Sequence, residues 1–224
     1  MSHALDYHTL RADGNAELII KKSRFIGQAA PAYTEEEALE YIRGVREANK
    51  TASHNCFAYI IGANAGLMRY QDDGEPQGTA GIPILEVLKR NNLVNCVAVV
   101  TRYFGGVLLG AGGLTRAYSS AAAAAVKAAG IVVAELSHTL SAQVTYNYWD
   151  ALNHALGRLP VCGVERAFTD KVALRLVVRV RDAQTLVDEL NRLTDGSAGI
   201  TLSDPFHHLW EVTGQAGQDE PGGD

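Results

Sequence analysis

Thr101-Arg102-Tyr103-Phe104-Gly105-Gly106-Val107-Leu108-Leu109-Gly110-Ala111-Gly112-Gly113-Leu114-Thr115-Arg116 places five glycines and two arginines between an apolar strand and a small-residue helix. The strand is read over Asn95 to Tyr103, where Val97, Val99 and Val100 suit a buried pleated surface. The helix is predicted over Leu114 to Ala129 and stops at Gly130. Glycines at such a junction let backbone approach a ligand closely. A helix N-terminus with free N–H groups attracts an anion, and an arginine fork grips phosphate. The competing reading is that the glycines only allow tight packing of helix on sheet.

Upstream, Ala16 to Ala30 is β-rich, interrupted by Lys21-Lys22-Ser23-Arg24. Thr34-x-x-Glu37 is a capping box, so a helix carrying Ala38, Ile42 and Val45 is expected to end near Asn49. Strands are predicted over Asn55 to Ile61 and Leu67 to Gln71, and a helix from Gly81-Ile82-Pro83 to Asn91-Asn92. Downstream the pattern changes. Leu136–Tyr146, Val161–Phe168, Lys171–Val180 and Gly199–Glu211 read as strands. Trp149–Leu159 and a helix capped by Asp182 separate them, giving a β-α-β-β-α-β order, the split βαβ or ferredoxin-like unit.

The expected organisation is a first α+β domain over 1–135, a second over 136–213 and a disordered tail over 214–224, with the joint near Val132–Leu136. A chain of 224 residues is long enough for one or two domains and a normal core. All of the net charge of −5 lies in residues 136–224, and residues 1–135 are neutral. A broad nucleic-acid-binding coat is therefore excluded, while a local basic patch on the first domain is not. Three scattered cysteines fit neither a disulfide framework nor a zinc site. No apolar run suits a signal peptide or a membrane span, so a cytoplasmic protein is expected.

Asp72-Asp73-Gly74-Glu75-Pro76 offers three carboxylates on a turn. They suit a hard cation, a solvated turn, or pairing with Arg102 or Arg116. Cys56 is read as a core thiol, which leaves His54 the more interesting residue of Ser53-His54-Asn55-Cys56. Lys21, Lys22 and Arg24 form a small basic cluster, of a kind that is usually a solvated face, and His207-His208 point to opposite faces of a strand. Walker and dinucleotide patterns fail, because Ala111-Gly112 stands in place of Lys-Ser/Thr and Thr115 in place of a third glycine. Leu109 to Ala125 resembles the glycine-rich helix of galactokinase-type small-molecule kinases, an enzymatic alternative that would need Asp72 and Asp73 for magnesium.

Lys22-Ser23-Arg24-Phe25-Ile26, Ala52 through Tyr59, Asp72 through Gly81 and Thr101 through Leu114 occur in order over about half of the chain. Together they resemble the IMPACT/YigZ family, bacterial two-domain type. The resemblance implies a first domain like domain 2 of ribosomal protein S5 and a ferredoxin-like second domain similar to domain V of elongation factor G. It also accounts for a kinase-like helix without kinase chemistry. Eukaryotic relatives regulate translation with an added RWD domain. None is expected ahead of Ala16, so their kinase-pathway role is not carried over. Gln77 stands where the family leads one to expect serine, which weakens a hydroxyl role there.

The resulting expectation is a non-enzymatic, translation-associated regulator that binds RNA or a ribosome-associated protein, without a cofactor, a metal, a membrane or DNA specificity. The anion-binding set is Arg102, Tyr103, Gly105, Gly106, Gly110, Gly112, Gly113, Thr115 and Arg116, widened by Lys22, Arg24 and His54. Asp72, Asp73 and Glu75 shape it. A nucleotide-dependent kinase or hydrolase and a protein-interaction module are the alternatives.

Overall fold

The computed structural model describes residues 6–212. It is a mixed α+β chain whose strand pairings are antiparallel within two sheets. Two compact units divide it: among the described residues, 6–134 with 209–212, and 135–208. The tail from Gly214, expected to be disordered, lies outside the described residues.

The first unit is built on a five-stranded sheet. Its strands are β2 (Gly14–Ile20), β3 (Ser23–Pro31), β4 (His54–Ile61), β5 (Leu67–Gln71) and β6 (Cys96–Tyr103), in the order β2-β3-β6-β4-β5. β6 is central because every residue from Cys96 to Arg102 is buried, so both its faces need cover. Period-two alternation supplies two cores. Cys56, Ala58, Ala98 and Val100 face α2 (Gly81–Arg90) and α3 (Ala111–Ala129). Phe57, Tyr59, Val97 and Val99 face α1 (Glu35–Ala48), which presents Ala38, Ile42 and Val45. Thr34 caps α1 through its hydroxyl, which accepts from Glu37 N at 3.2 Å. The Glu37 side chain reaches back to Tyr33 N rather than to the Thr34 amide.

The helix α3 lies unusually close to β3. A Cβ built on Gly27 would overlap the Ala121 carbonyl and meet the Ala125 methyl at 3.2 Å, so the alanine-rich face of α3 and Gly27 require each other. An unforeseen strand, β1 (Tyr7–Leu10), pairs with residues 131–134 of β7 (Ile131–Val144).

In the second unit the elements after β7 are α4 (Tyr146–Leu156), β8 (Val161–Phe168), β9 (Val172–Arg179), α5 (Val180–Leu193), β10 (Gly199–Leu202) and β11 (Phe206–Glu211), whose last three residues lie in the first unit. The strand order β10-β7-β9-β8 buries Val172, Leu174, Leu176 and Val178 against helix residues that include Leu152, Leu186 and Leu190.

The two units divide between Ala134 and Glu135, within the expected joint near Val132–Leu136, and β7 runs from Ile131 to Val144 through that point. Several local expectations are corrected. α3 begins at Ala111, one turn before Leu114, so Gly112 and Gly113 are helical. α4 is displaced toward Tyr146, and Arg179 rather than Asp182 is the cap residue of α5. Asp182 sits in the first turn, where its charge opposes the positive helix end. The last strand is split around Ser203-Asp204-Pro205, as a proline inside a ladder dictates.

Gly27→Ala is expected to lower stability by about 1–3 kcal/mol through overpacking. Urea unfolding should show a reduced midpoint at unchanged slope; an unchanged midpoint would contradict this close helix–sheet contact.

Candidate functional site

Register brings the chemistry together before any loop does. Arg102 of β6 lies opposite Phe25 of β3 and opposite His54 of β4, so three side chains form a row across one sheet face. That is the face covered by α2 and α3. Arg102 is 5% exposed, and its guanidinium lies between the Phe25 and Phe104 rings, 5.4 and 5.5 Å from their centroids. Nη1 donates to Glu75 Oε1 at 2.6 Å, and Tyr118 Oη donates to the same oxygen at 2.7 Å. His54 Nδ1 bonds the Asp73 carbonyl at 2.8 Å, with Nε2 3.8 Å from Glu75 Oε1. Burial, with Cys56 and Glu75 beside it, pushes the Tyr118 hydroxyl strongly upward. Burial pushes the Cys56 thiol up to about 12, so Cys56 is a protonated core thiol rather than a nucleophile.

Each carboxylate of the acidic turn has a partner. Asp72 accepts from the amides of Gly78, Ala80 and Gly81 and so caps the start of α2. Asp73 accepts from Asn55 N and Arg46, and Glu75 takes Arg102. Of the three readings of this turn, pairing with Arg102 is the one observed. Carboxylates so committed are poorly placed as magnesium ligands for a kinase, whose phosphate loop would also need a lysine this segment lacks.

The glycines have separate duties. A Cβ on Gly105 would overlap the Lys22 carbonyl, because the hairpin turn between β2 and β3 presses against it. Lys21 and Lys22 form that turn, both with positive φ (46° and 66°), a conformation costly for lysine. Gly110 caps α3 at φ 71° without a side-chain hydrogen bond. The amides of Ala111, Gly112 and Gly113 precede the first intrahelical bond, Leu114 N to Gly110 O, and the first turn carries no acidic residue.

Two hollows border this helix start. One, of about 340 Å³, is lined by His54, Glu75, Arg102, Phe104, Leu108 and Gly110, among others. The other, of about 160 Å³, gathers Lys21, Gly113, Arg116 and Ser120. Leu109 forms part of both walls.

The expected single patch is thereby divided. Arg102 cannot offer an open fork to phosphate, since it is buried and paired. Arg24 and Tyr103 lie on the opposite sheet face, because they are one residue out of phase with Phe25 and Arg102. Arg24 is bidentate to Glu17 and lies over the Tyr103 ring, whose hydroxyl donates to Asn49. Lys22, Gly106, Thr115 and Arg116 are exposed. Lys21, Ser23, Phe104 and Tyr118 were not foreseen as site residues. The one available signal was Tyr118, a bulky residue four positions after Leu114 in an otherwise small-residue helix.

Residues 21–126 match the model of the Impact N-terminal domain. The IMPACT family member YvyE of Bacillus subtilis is 37% identical over 194 residues, covering 87% of this chain and 89% of that protein. The chain belongs to the IMPACT family. An IMPACT family member of Thermus thermophilus is 50% identical over 111 residues, half of this chain and 59% of the relative. YigZ of Escherichia coli is 45% identical over 101 residues, half of its own length. A solved structure described as a hypothetical protein aligns at a TM-score of 0.57 and 29% identity, over 87% of this chain and 96% of that one. All four motifs quoted above fall at least partly within the matched Impact segment, and the Arg102–Glu75 pair lies inside it.

Arg102→Met should cost about 3–5 kcal/mol, because it strands the Glu75 carboxylate in a buried site. The double variant Arg102→Met/Glu75→Leu should recover part of that loss in a thermal or urea melt. A loss below about 1 kcal/mol for the single variant, typical of an exposed pair, would show that this ion pair does not organise the site.

Proposed function

We propose that this family member is a non-enzymatic, cytoplasmic, translation-associated regulator that binds RNA through the basic edge of its first unit. The observation that carries the reading is the hollow shared by Lys21, Gly113 and Arg116 at the start of α3. Both cations are exposed, and no side-chain hydrogen bond or ion pair engages either among the described residues. The helix supplies uncapped amides and the positive end of its dipole to the same edge. Lys22, next on the strained turn, extends the edge outward. Strain retained at an exposed basic turn is of the kind that functional sites keep.

The two units support an association with translation through their architecture. We read the five-stranded antiparallel sheet with α2 and α3 on one face as the S5 domain 2 type. We read the β10-β7-β9-β8 order as the ferredoxin-like arrangement, similar to domain V of elongation factor G. The neutrality of the first unit, in a chain whose remainder is acidic, favours a confined contact over wrapping of a long duplex. A non-enzymatic reading agrees with carboxylates committed to helix capping and ion pairing.

Anisotropy of a labelled mixed-sequence single-stranded RNA, titrated across a salt series, tests the reading. The double variant Lys21→Ala/Arg116→Ala should weaken binding and reduce the magnitude of the salt slope by about 1.4, two phosphate contacts at about 0.7 each. Arg24→Ala, on the other sheet face, should leave both unchanged. Unaltered affinity and slope in the double variant would refute the assignment.

A further inference from the structure

The larger hollow at the start of α3 holds a set of groups that the basic edge does not use. Its volume of about 340 Å³ is at the small end of ligand pockets and suits one compact ligand. One end is formed by Gly110 and Ala111, where α3 opens with unbonded amides. The wall beside it is apolar: Phe104 is 49% exposed, with Leu108 and Pro76 alongside. The floor is Arg102, whose side chain is 6% exposed and whose buried Nε has no hydrogen-bond partner. An orphaned buried donor in a cavity wall calls for a group that has not been named.

The remaining two polar residues are acceptors. His54 gives Nδ1 to the Asp73 carbonyl, so in the neutral ring Nδ1 carries the proton and Nε2 is left with its lone pair. The contacts of Glu75 with Arg102, Tyr118 and His54 all converge on Oε1, and Oε2 takes no hydrogen bond among the described residues. The hollow therefore offers donors for an anion at one end, a ring to stack on, and two acceptors for a hydroxyl.

The geometry points to a site for one ribonucleotide. Its phosphate meets the α3 amides and the unpaired Arg102 Nε, its base lies against Phe104, and its 2′-hydroxyl donates to His54 Nε2 or Glu75 Oε2. A carboxylate accepting from a ribose hydroxyl is an established recognition device, and the 2′-hydroxyl is what separates RNA from DNA at a protein site. The Glu75 charge does not repel the phosphate because the ion pair with Arg102 neutralises it. This inference takes its ligand class from the RNA reading above. The ligand is either a nucleotide within the RNA or a free ribonucleotide.

Calorimetry with UMP, dUMP and inorganic phosphate is the test, followed by competition of UMP against the labelled RNA. UMP should bind saturably and about tenfold more tightly than dUMP, one hydrogen bond's worth of discrimination. His54→Leu should shrink that difference, while Phe104→Leu, which keeps an apolar cover over Arg102 but removes the aromatic face, should weaken both nucleotides. Displacement of RNA by UMP identifies the RNA as the source; UMP binding without displacement identifies the free nucleotide, and either supports the pocket. UMP binding no tighter than phosphate, or equal binding of UMP and dUMP, overturns it. If RNA binding still depends on Lys21 and Arg116 in that case, the pocket alone falls. If UMP binds and RNA does not, the RNA reading falls and the pocket stands.

Discussion

The buried ion pair of Arg102 and Glu75 joins the central strand, the acidic turn and, through the Tyr118 hydroxyl, the middle of α3. Phe25 from β3 and Phe104 from the glycine loop close over the guanidinium from two sides. Both side chains are almost wholly buried, so each charge depends on the other; a lone carboxylate or guanidinium in that position would be strongly destabilising. The start of α3, the turn holding Asp72 and Asp73, and the orientation of His54 are all set around this contact. The glycine loop passes above it, and Gly105 admits the backbone of the Lys21-Lys22 hairpin to the same corner.

From this arrangement follows a separation of roles among residues that lie close in sequence. Arg102 organises the interior, and Arg116, fourteen residues later, meets solvent beside Lys21. The sheet itself separates Arg24 and Tyr103 from the α3 side, since neighbouring residues of a strand point in opposite directions. What was a list of basic residues becomes one buried clamp, one surface ion pair over an aromatic ring, and one open basic edge. Only the last has its charge available to a polyanion.

Much of the architecture was legible because hydrophobic period and turn chemistry are local. Thr34-x-x-Glu37, the Val97–Val100 run and the alternation of Val172, Leu174, Leu176 and Val178 each specify an element with a burial face. Helix starts were less legible. Gly112 and Gly113 look like loop residues, yet they lie in the first turn of α3. β1 was invisible because a four-residue strand has little pattern, and its pairing partner lies beyond residue 130. At the site, the four motifs located the right corner of the fold. They could not tell which arginine is buried, because that depends on the β6 register and on Glu75 reaching across 27 residues to Arg102.

The proposed RNA contact is the open basic edge at the start of α3, carried by Lys21 and Arg116. The most direct measurement is backbone amide NMR of the full chain during titration with single-stranded RNA. The largest shift changes are expected at residues 20–22 and 110–116, with little change at Arg24 and Tyr103. Largest changes on β8 and β9, or none near residues 110–116 while RNA is bound, would contradict it.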